Sequence, residues 1–303
     1  MKTFFLPGGD SRQQYLGAML TGKGYKVIRF LNGGYRYMTK QEEGTGDSLP
    51  LPEAMAASHC ILGPVPFTRD GRLLFSAVPE EQLETEALLG YLTERHIFFG
   101  GNLPPQARDR CIRLGIPCYD FMKMEEVALK NTIATAEGAL AEAIRLSPIN
   151  LHGSRCLVLG YGRCGQTLSD KLKALDASVT AADHKKEQLA LASSRGIEPL
   201  LFQAGISVAL PESGPAFGSG IPHWELYDCI FNTIPAPALD RTAVFRMKKD
   251  AVIIDLASAP GGTDFDACRA AGIRAQLCTG LPGLFSPKTS AEILCQAVLS
   301  RTE

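Results

Sequence analysis

The sequence has almost no net charge. Its 303 residues carry 31 Lys and Arg against 32 Asp and Glu, a formal charge of −1. Nucleic acids and anionic membrane surfaces select a net basic footprint, so neither is indicated as the main partner. No apolar run approaches the roughly 18 to 20 residues that span a bilayer. The opening MKTFFLPGGD breaks at Pro7 before a signal-peptide core forms, and the chain reads as cytoplasmic. No CxxC pair occurs among the nine cysteines. That odd number, with Cys111, Cys156, Cys229, Cys278 and Cys295 in apolar stretches, predicts reduced and mostly buried thiols, not disulfides or a zinc site. The five histidines lack ligand spacing, so no metal is expected, and His59 and His152 read as structural. Internal repeats are also missing.

What is present is ordinary for a globular protein: 45% hydrophobic and 21% charged residues, in a chain long enough for two domains. Short apolar runs bounded by Gly and Pro alternate with amphipathic stretches, the pattern of an α/β protein with parallel sheets. Strands are predicted near Thr3–Leu6, Tyr25–Phe30, Cys60–Leu62, His96–Phe99 and Pro117–Phe121, with helices near Arg12–Thr21 and Pro105–Leu114. Polar, Gly- and Pro-rich Gln41–Pro52 reads as a loop. The pattern restarts with a strand at Arg155–Leu159, a helix at Gly165–Leu175, a strand at Ser178–Ala182 and a helix at Lys186–Ser194. Further strands follow at Glu198–Phe202, Cys229–Thr233, Ala251–Leu256 and Arg274–Leu277. Pro211–Pro222 reads as an irregular, mobile insertion.

Between the two halves, Met124–Leu146 contains no proline and predicts one long helix. Val127, Ala134, Ala141 and Ile144 form one apolar stripe, and Leu129, Ile133, Ala136 and Leu140 a second, nearly opposite one. Two such stripes predict burial on both sides, as in a helix wedged between domains. Polar strips of Asn131, Thr135 and Glu142, and of Lys130 and Glu137, face either water or a cleft, and Gly138 permits a close approach. In SPKTSAEILCQAVL, Ser286 as N-cap and Pro287 as first helical residue open a last helix. The expected layout is a first α/β domain over 1–123, an interdomain helix over 124–147, a dinucleotide-binding domain over 148–285, and a helix over 286–303 that returns to the first domain. Two Rossmann- or flavodoxin-like parallel sheets would then flank a site in the cleft.

Gly160, Gly162 and Gly165 form GxGxxG directly after a strand and opening a helix. That arrangement supplies a tight turn, backbone approach to a pyrophosphate and close helix–strand packing. Tyr161, Arg163 and Cys164 complete the turn. About twenty residues further on, VTAAD ends in Asp183, an acid placed to accept hydrogen bonds from the adenosine ribose. Asp183 favours NAD modestly, while His184, Lys185 and Lys186 could receive the 2′-phosphate of NADP. Two later strand ends fall where ligands bind in open α/β sheets: Asn232, Thr233, Ile234 and Pro235 beside the nicotinamide ribose, and Asp255, Ala257 and Ser258 near the carboxamide.

Seven segments carry a resemblance in chain order: PGGDSRQ (Pro7–Gln13), GPVPFTRDG (Gly63–Gly71), KNTIATAEGAL (Lys130–Leu140), the GxGxxG turn, NTIPA, DLASAPGGTDF (Asp255–Phe265) and GLPGLFSPKTSAEI (Gly280–Ile293). Together they resemble the A subunits of dipicolinate synthase. The insertion Ala204–Pro222 departs from that pattern, as does Asp183. The resemblance implies NAD(P)-dependent dehydrogenation of dihydrodipicolinate, or of a hydroxy-tetrahydro precursor with loss of water, to pyridine-2,6-dicarboxylate. It also implies sporulation, a mother-cell cytoplasmic location, an oligomer, and a partner in the flavoprotein-like B subunit.

Such a substrate has two carboxylates and needs cationic or N–H anchors at two points. Candidates are the backbone of Gly8 and Gly9 with Arg12, then Arg69, the Gly261–Gly262 donors, and Lys288, with Asn131, Thr135 and Glu137 lining the long helix. For proton transfer the order is Asp10, then Lys130, ahead of Glu137 and Asp255. Two alternatives stand beside this reading. A D-2-hydroxyacid dehydrogenase shares the plan but calls for an Arg shortly after the strand that reads IIDLAS and for an acid–His pair further on, whereas Ser258–Gly262 follow here and no histidine comes after His223. A non-catalytic nucleotide-binding or regulatory subunit would keep the nucleotide half and lose the substrate anchors.

Overall fold

The structure, a computed structural model, describes residues 2–31, 33–38, 44–202, 204, 218–219 and 222–302. The chain opens with β1 (Thr3–Leu6), α1 (Ser11–Gly22), β2 (Lys26–Leu31), β3 (Gly34–Met38), β4 (Gly44–Leu49), α2 (Leu51–Ala57) and β5 (Cys60–Leu62). It continues through α3 (Thr85–Gly90), β6 (Ile97–Gly100), α4 (Pro105–Leu114), β7 (Cys118–Asp120) and α5 (Glu125–Leu146). Then come β8 (Arg155–Leu159), α6 (Arg163–Ala174), β9 (Ser178–Asp183), α7 (Lys186–Ser194), β10 (Glu198–Leu201) and β11 (Gly218–Ser219). The last group is β12 (Cys229–Asn232), α8 (Arg241–Phe245), β13 (Val252–Asp255), α9 (Phe265–Ala271), β14 (Arg274–Leu277), α10 (Leu281–Phe285) and α11 (Pro287–Thr302). Two compact units result: Met1–Asn131 with Ser286–Glu303, and Thr132–Phe285.

The first unit holds a seven-stranded sheet in the order β4-β3-β2-β1-β5-β6-β7. β2, β1, β5, β6 and β7 run parallel, and β3 and β4 join antiparallel at one edge. Because strand side chains alternate, Phe4, Leu6, Cys60, Leu62 and Phe99 pack with the apolar faces of α1 and α11, while Phe5, Ile28, Ile61 and Phe98 pack on the opposite face. Both faces are therefore buried, which explains continuous apolar runs such as TFFL and CIL.

The second unit holds another seven-stranded sheet, β11-β10-β9-β8-β12-β13-β14, all parallel. Apart from β11 its order is that of a Rossmann sheet, which reverses direction between β8 and β12. Cys156, Val158, Cys229 and Phe231 face a core that includes Ala136, Ala139 and Ala143 of α5, and Leu157, Leu159, Ile230 and Ile253 face the other. Two α/β units with parallel-dominant sheets are thus what the alternating pattern predicts.

Several expectations are corrected. Within Gln41–Pro52, predicted as a loop, Gly44–Leu49 is strand β4, with Tyr35 opposite Leu49 and Tyr37 opposite Thr45. An edge strand takes its hydrogen bonds from one neighbour and needs no apolar pattern, so composition hides it. Residues 41–43 lie outside the described residues. α5 does not bury two full stripes: Leu129 is 49% exposed, Ile133 52% and Ile144 60%. Its contacts are made instead by Val127 in one core and by small Ala136, Ala139 and Ala143 in another. Gly138 does admit a close approach, since a Cβ there would lie 2.9 Å from Leu281 and Phe285. Most of Pro211–Pro222 lies outside the described residues, as do Gln203 and residues 205–210. Among the described residues no helix is long and apolar enough to cross a membrane.

Candidate functional site

In the second unit β8 ends at Leu159 and the chain turns sharply. Gly160 takes φ +88°, and a Cβ there would meet Thr233 Oγ1 at 2.4 Å. At Gly165 a Cβ would sit 1.9 Å from the Gly160 carbonyl oxygen, so only glycine lets α6 approach the strand this closely. Around Gly162 the space is open, with nothing within 4 Å of a Cβ position. Gly162 is the N-cap of α6 and supplies no side-chain acceptor. The first turn of this twelve-residue helix therefore has no side-chain cap, as an anion site requires.

Asp183, the last residue of β9, stands beside this turn. Its Oδ2 accepts the Tyr161 N–H at 2.8 Å and its Oδ1 accepts the Lys185 N–H at 2.9 Å. A carboxylate has about four lone-pair sites, so acceptor capacity remains for two ribose hydroxyls. His184 Nδ1 lies 3.4 Å from it, and His184 and Lys185 are exposed. The Tyr161 ring is fully buried in the core, so this residue takes part through its backbone. Cys164 is half-buried, and burial pushes its thiol up. These residues fit a dinucleotide: a helix N-terminus without a side-chain cap, a glycine-rich turn and an acid at the neighbouring strand end.

Register aligns Leu159 with Asn232, and Asn232 with Asp255, across the reversal of strand order. Thr233 Oγ1 donates to the carbonyl oxygens of Leu159 and Gly160 at 2.9 and 3.2 Å, fastening the NTIPA loop to the glycine turn. Asn232 and Asp255 depart from expectation, because both are 0% exposed. Asn232 Nδ2 donates to Asp255 Oδ1 at 3.1 Å, and its Oδ1 accepts the Ile234 N–H at 3.0 Å. Asp255 further accepts from Ala257 N at 3.0 Å, Gly262 N at 2.8 Å and Thr263 Oγ1 at 2.6 Å. The Gly261–Gly262 donors expected to face a substrate carboxylate are therefore not open: Gly262 serves Asp255, and Gly261 N donates to the Ser258 carbonyl oxygen at 2.9 Å. Half-buried Thr233 and Ile234, with exposed Pro235 and Ser258, are left on the accessible side, while Ala257 is buried.

In the first unit strand order reverses between β1 and β5, and the turn Pro7–Asp10 follows β1. The chain fills this place with its own groups. Gly8 N donates to Glu81 Oε1 at 2.8 Å and Gly9 N to the Phe75 carbonyl oxygen at 2.6 Å, so neither amide is open to a ligand carboxylate as expected. Asp10 caps α1: its Oδ1 accepts Arg12 N at 3.0 Å and Arg12 Nε at 2.9 Å, and its Oδ2 accepts Arg12 Nη2 at 2.8 Å. Arg12 Nη2 also donates to the Val65 carbonyl oxygen. Gln13 Nε2 donates to the Leu62 carbonyl oxygen at 2.9 Å, fixing the first turn of α1 to the end of β5. Asp10 and Arg12, expected as base and substrate clamp, thus meet each other.

The remaining candidates divide by unit. Lys130 Nζ donates to Gln296 Oε1 at 2.9 Å, and Lys288 is exposed on α11, both in the first unit. Glu137 pairs with Lys171 at 2.9 Å within the second, so it is not an open acid. Asn131 and Thr135 are half-buried on α5. Arg69 is exposed, with its guanidinium carbon 4.0 Å from the centre of the Phe75 ring.

Sequence reasoning missed Glu81. It is 7% exposed, accepts from Ser76 Oγ at 3.1 Å as well as from Gly8, and lies near Arg29 and Tyr35. Burial lifts its carboxyl above the usual range, against the pull of the Gly8 N–H, the Ser76 hydroxyl, Arg29 and Tyr35. In VPEEQL nothing distinguishes Glu81 from exposed Glu80. A cavity of about 360 Å³ lies near the end of β2, lined by Gln14, Arg29, Phe30, Leu31, Gly33, Val78 and Glu80. It touches none of the expected substrate anchors.

Comparison with known proteins bears on both units. Residues 3–122 match the family model for the N-terminal domain of the dipicolinate synthase A subunit. Over 200 residues, 66% of this chain, the sequence is 34% identical to the dipicolinate synthase A subunit of Bacillus subtilis (strain 168), a match that spans 60% of that relative's length. The crystal structure of the dipicolinate synthase A subunit from Bacillus halodurans is 26% identical, with a TM-score of 0.81 over 99% of this chain and 97% of that one. The A chain from Bacillus subtilis is 27% identical, with a TM-score of 0.79 over 99% and 95%.

Proposed function

We propose, for a chain that belongs to the A-subunit family of dipicolinate synthase, that it is an NAD(P)-dependent oxidoreductase forming dipicolinate. Its substrate is dihydrodipicolinate, or the hydroxy-tetrahydro precursor, which loses water as well. The observation that carries the reading is the point of strand reversal between β8 and β12. There a helix N-terminus without a side-chain cap, a glycine turn and Asp183 meet in the arrangement a dinucleotide needs.

A bound nicotinamide would accept hydride from the ring carbon, and aromatisation of the product supplies much of the driving force. The chain's own residues bind and orient. The first turn of α6 receives the pyrophosphate and Asp183 the adenosine ribose, which favours NAD over NADP. Thr233, Ile234, Pro235 and Ser258 border the nicotinamide end, on loops that Asn232 and Asp255 hold. Arg69 and Lys288 of the first unit are the cations left to meet the substrate carboxylates. Lys130 replaces Asp10 as the proton-transfer group, because the Asp10 carboxylate is committed to Arg12. A flavoprotein-like B subunit is the proposed partner, and the mother cell of a sporulating bacterium the proposed setting.

A second reading is favoured by one observation: Gly8, Gly9, Asp10 and Arg12 all spend their polar groups inside the first unit. The chain would then be a nucleotide-binding subunit that regulates its partner. One experiment separates the two. The purified chain, with and without the B subunit, is mixed with freshly generated dihydrodipicolinate and NAD or NADP, and aromatic product is followed with reduced nicotinamide. Product in step with reduced nicotinamide, faster with NAD, is expected. Tight nucleotide binding without product in any combination replaces the enzyme by the regulatory subunit.

A further inference from the structure

Arg69 differs from several other arginines of its unit in how its charge is met. Arg12 pairs with Asp10, Arg72 with Glu84 and Arg301 with Glu126. Arg95 donates to the Ala56 carbonyl oxygen and Arg110 to those of Leu89 and Leu92. Arg69 has no hydrogen bond or ion pair among the described residues, only the face of Phe75 beneath its guanidinium. The acid beside it is turned away: Asp70 Oδ1 accepts from Arg72 N, Leu73 N and Thr68 Oγ1 within its own turn. A cation over a ring uses the π face and none of the five N–H donors of a guanidinium. Those donors form a planar fork that matches a carboxylate.

The platform under Arg69 is fixed. Phe75 N donates to the Phe67 carbonyl oxygen at 2.9 Å, and the Phe75 carbonyl oxygen accepts the Gly9 N–H at 2.6 Å. Residues on both sides are held too, Leu74 bridged to Thr68 and Ser76 bridged to Gly9. Glu81 ties the far end of the same segment to Gly8. Phe75 is thus tethered to the turn after β1 through its main chain, leaving its ring to hold a flexible arginine in one place.

We infer that Arg69 and Phe75 form a preformed carboxylate-binding element in which Phe75 is the positioning residue and Arg69 makes the contact. Its ligand is one carboxylate of a small planar dicarboxylate, an identification that rests on the function proposed above. Without the ring the arginine would have to be ordered by the ligand itself, at a cost in affinity.

The test uses the full chain and dipicolinate itself as probe, with binding measured by titration calorimetry and NAD binding measured in parallel as a check on folding. Arg69→Ala is expected to weaken dipicolinate binding at least tenfold. Phe75→Leu should weaken it roughly two- to tenfold, the range of a cation–π contact, and Phe75→Tyr should restore it to within about twofold of the parent because the π face is kept. NAD binding should be the same in all. If Arg69→Ala weakens binding while Phe75→Leu binds like the parent, the positioning role is wrong. A parent that binds dipicolinate, with both variants binding it equally well, overturns the whole element and leaves the dehydrogenase reading standing. A parent that binds NAD but not dipicolinate overturns both.

Discussion

Asp255 gathers Asn232, Ala257, Gly262 and Thr263 around a carboxylate that water does not reach. Hydrogen bonds to a buried charge are worth roughly 1.5–3 kcal/mol each, and a donor left facing another donor costs its desolvation. Asp255→Asn removes the charge and turns an NH2 group toward either Asn232 or Gly262. A loss of roughly 2–4 kcal/mol in urea unfolding is expected, together with weaker dinucleotide binding. A variant as stable as the parent would mean that the four contacts contribute little. Whether an acid at a strand end faces a ligand or its own turn could not be read from DLASAPGG, because that depends on which way the following residues fold back. The position of Asp183 beside the glycine turn was legible for the opposite reason: it follows from its distance along the chain from that turn, which the sequence states directly.

At the scale of elements, α1 depends on Asp10 as both cap and partner of Arg12, whose side chain is only 10% exposed. Asp10→Asn keeps a side-chain oxygen for the cap, whereas Asp10→Ala removes the cap and strands a nearly buried guanidinium. The alanine variant should lose roughly 2–4 kcal/mol and the asparagine variant less than half of that. Turnover separates structure from chemistry here. Asn should retain most of the activity per folded molecule, and a collapse in rate at unchanged stability would return Asp10 to the role of base. The central parallel strands and long helices were readable because both faces of each sheet are covered, which forces apolar runs such as RCLVL and VIID. β4 was not, since residues at an antiparallel edge answer to one neighbour's hydrogen bonds and little else, and in β3 beside it Tyr35 and Met38 alone are buried apolar side chains. The two opposed stripes on α5 misled because alanine and leucine count alike on a helical wheel, while in the folded chain the alanines make the contacts.

For the whole molecule, each unit has its own cores, so a change confined to one reports on the stability of that unit. Glu81 offers such a probe. Its carboxyl is raised by burial in the folded chain, so the native state favours the protonated acid relative to the unfolded chain. That contribution is complete below the unfolded glutamate range, about pH 4.3, and is lost as pH rises through the higher native value. Glu81→Gln cannot ionise. Its unfolding free energy should therefore gain on the parent's as pH rises from about 4 toward 7, then keep a constant difference. Urea titrations of both proteins across that range check this, and a difference independent of pH would show that burial does not govern Glu81. Length and pattern foretold two α/β units, but the contact between Glu81 and Gly8 joins residues far apart in sequence and was invisible to any local pattern.

The packing of α11 against α1 also bears on how the protein is made. The second unit is one uninterrupted stretch, Thr132–Phe285, and has its whole sheet once that stretch has left the ribosome. The first unit, although most of it is synthesised earlier, lacks Ala291, Leu294, Val298 and their neighbours until α11 emerges. Until then that face of its sheet has α1 but not α11 over it. The unit begun first is thereby the one completed last, and until α11 arrives it exposes apolar surface of the kind that makes an incomplete domain prone to aggregate.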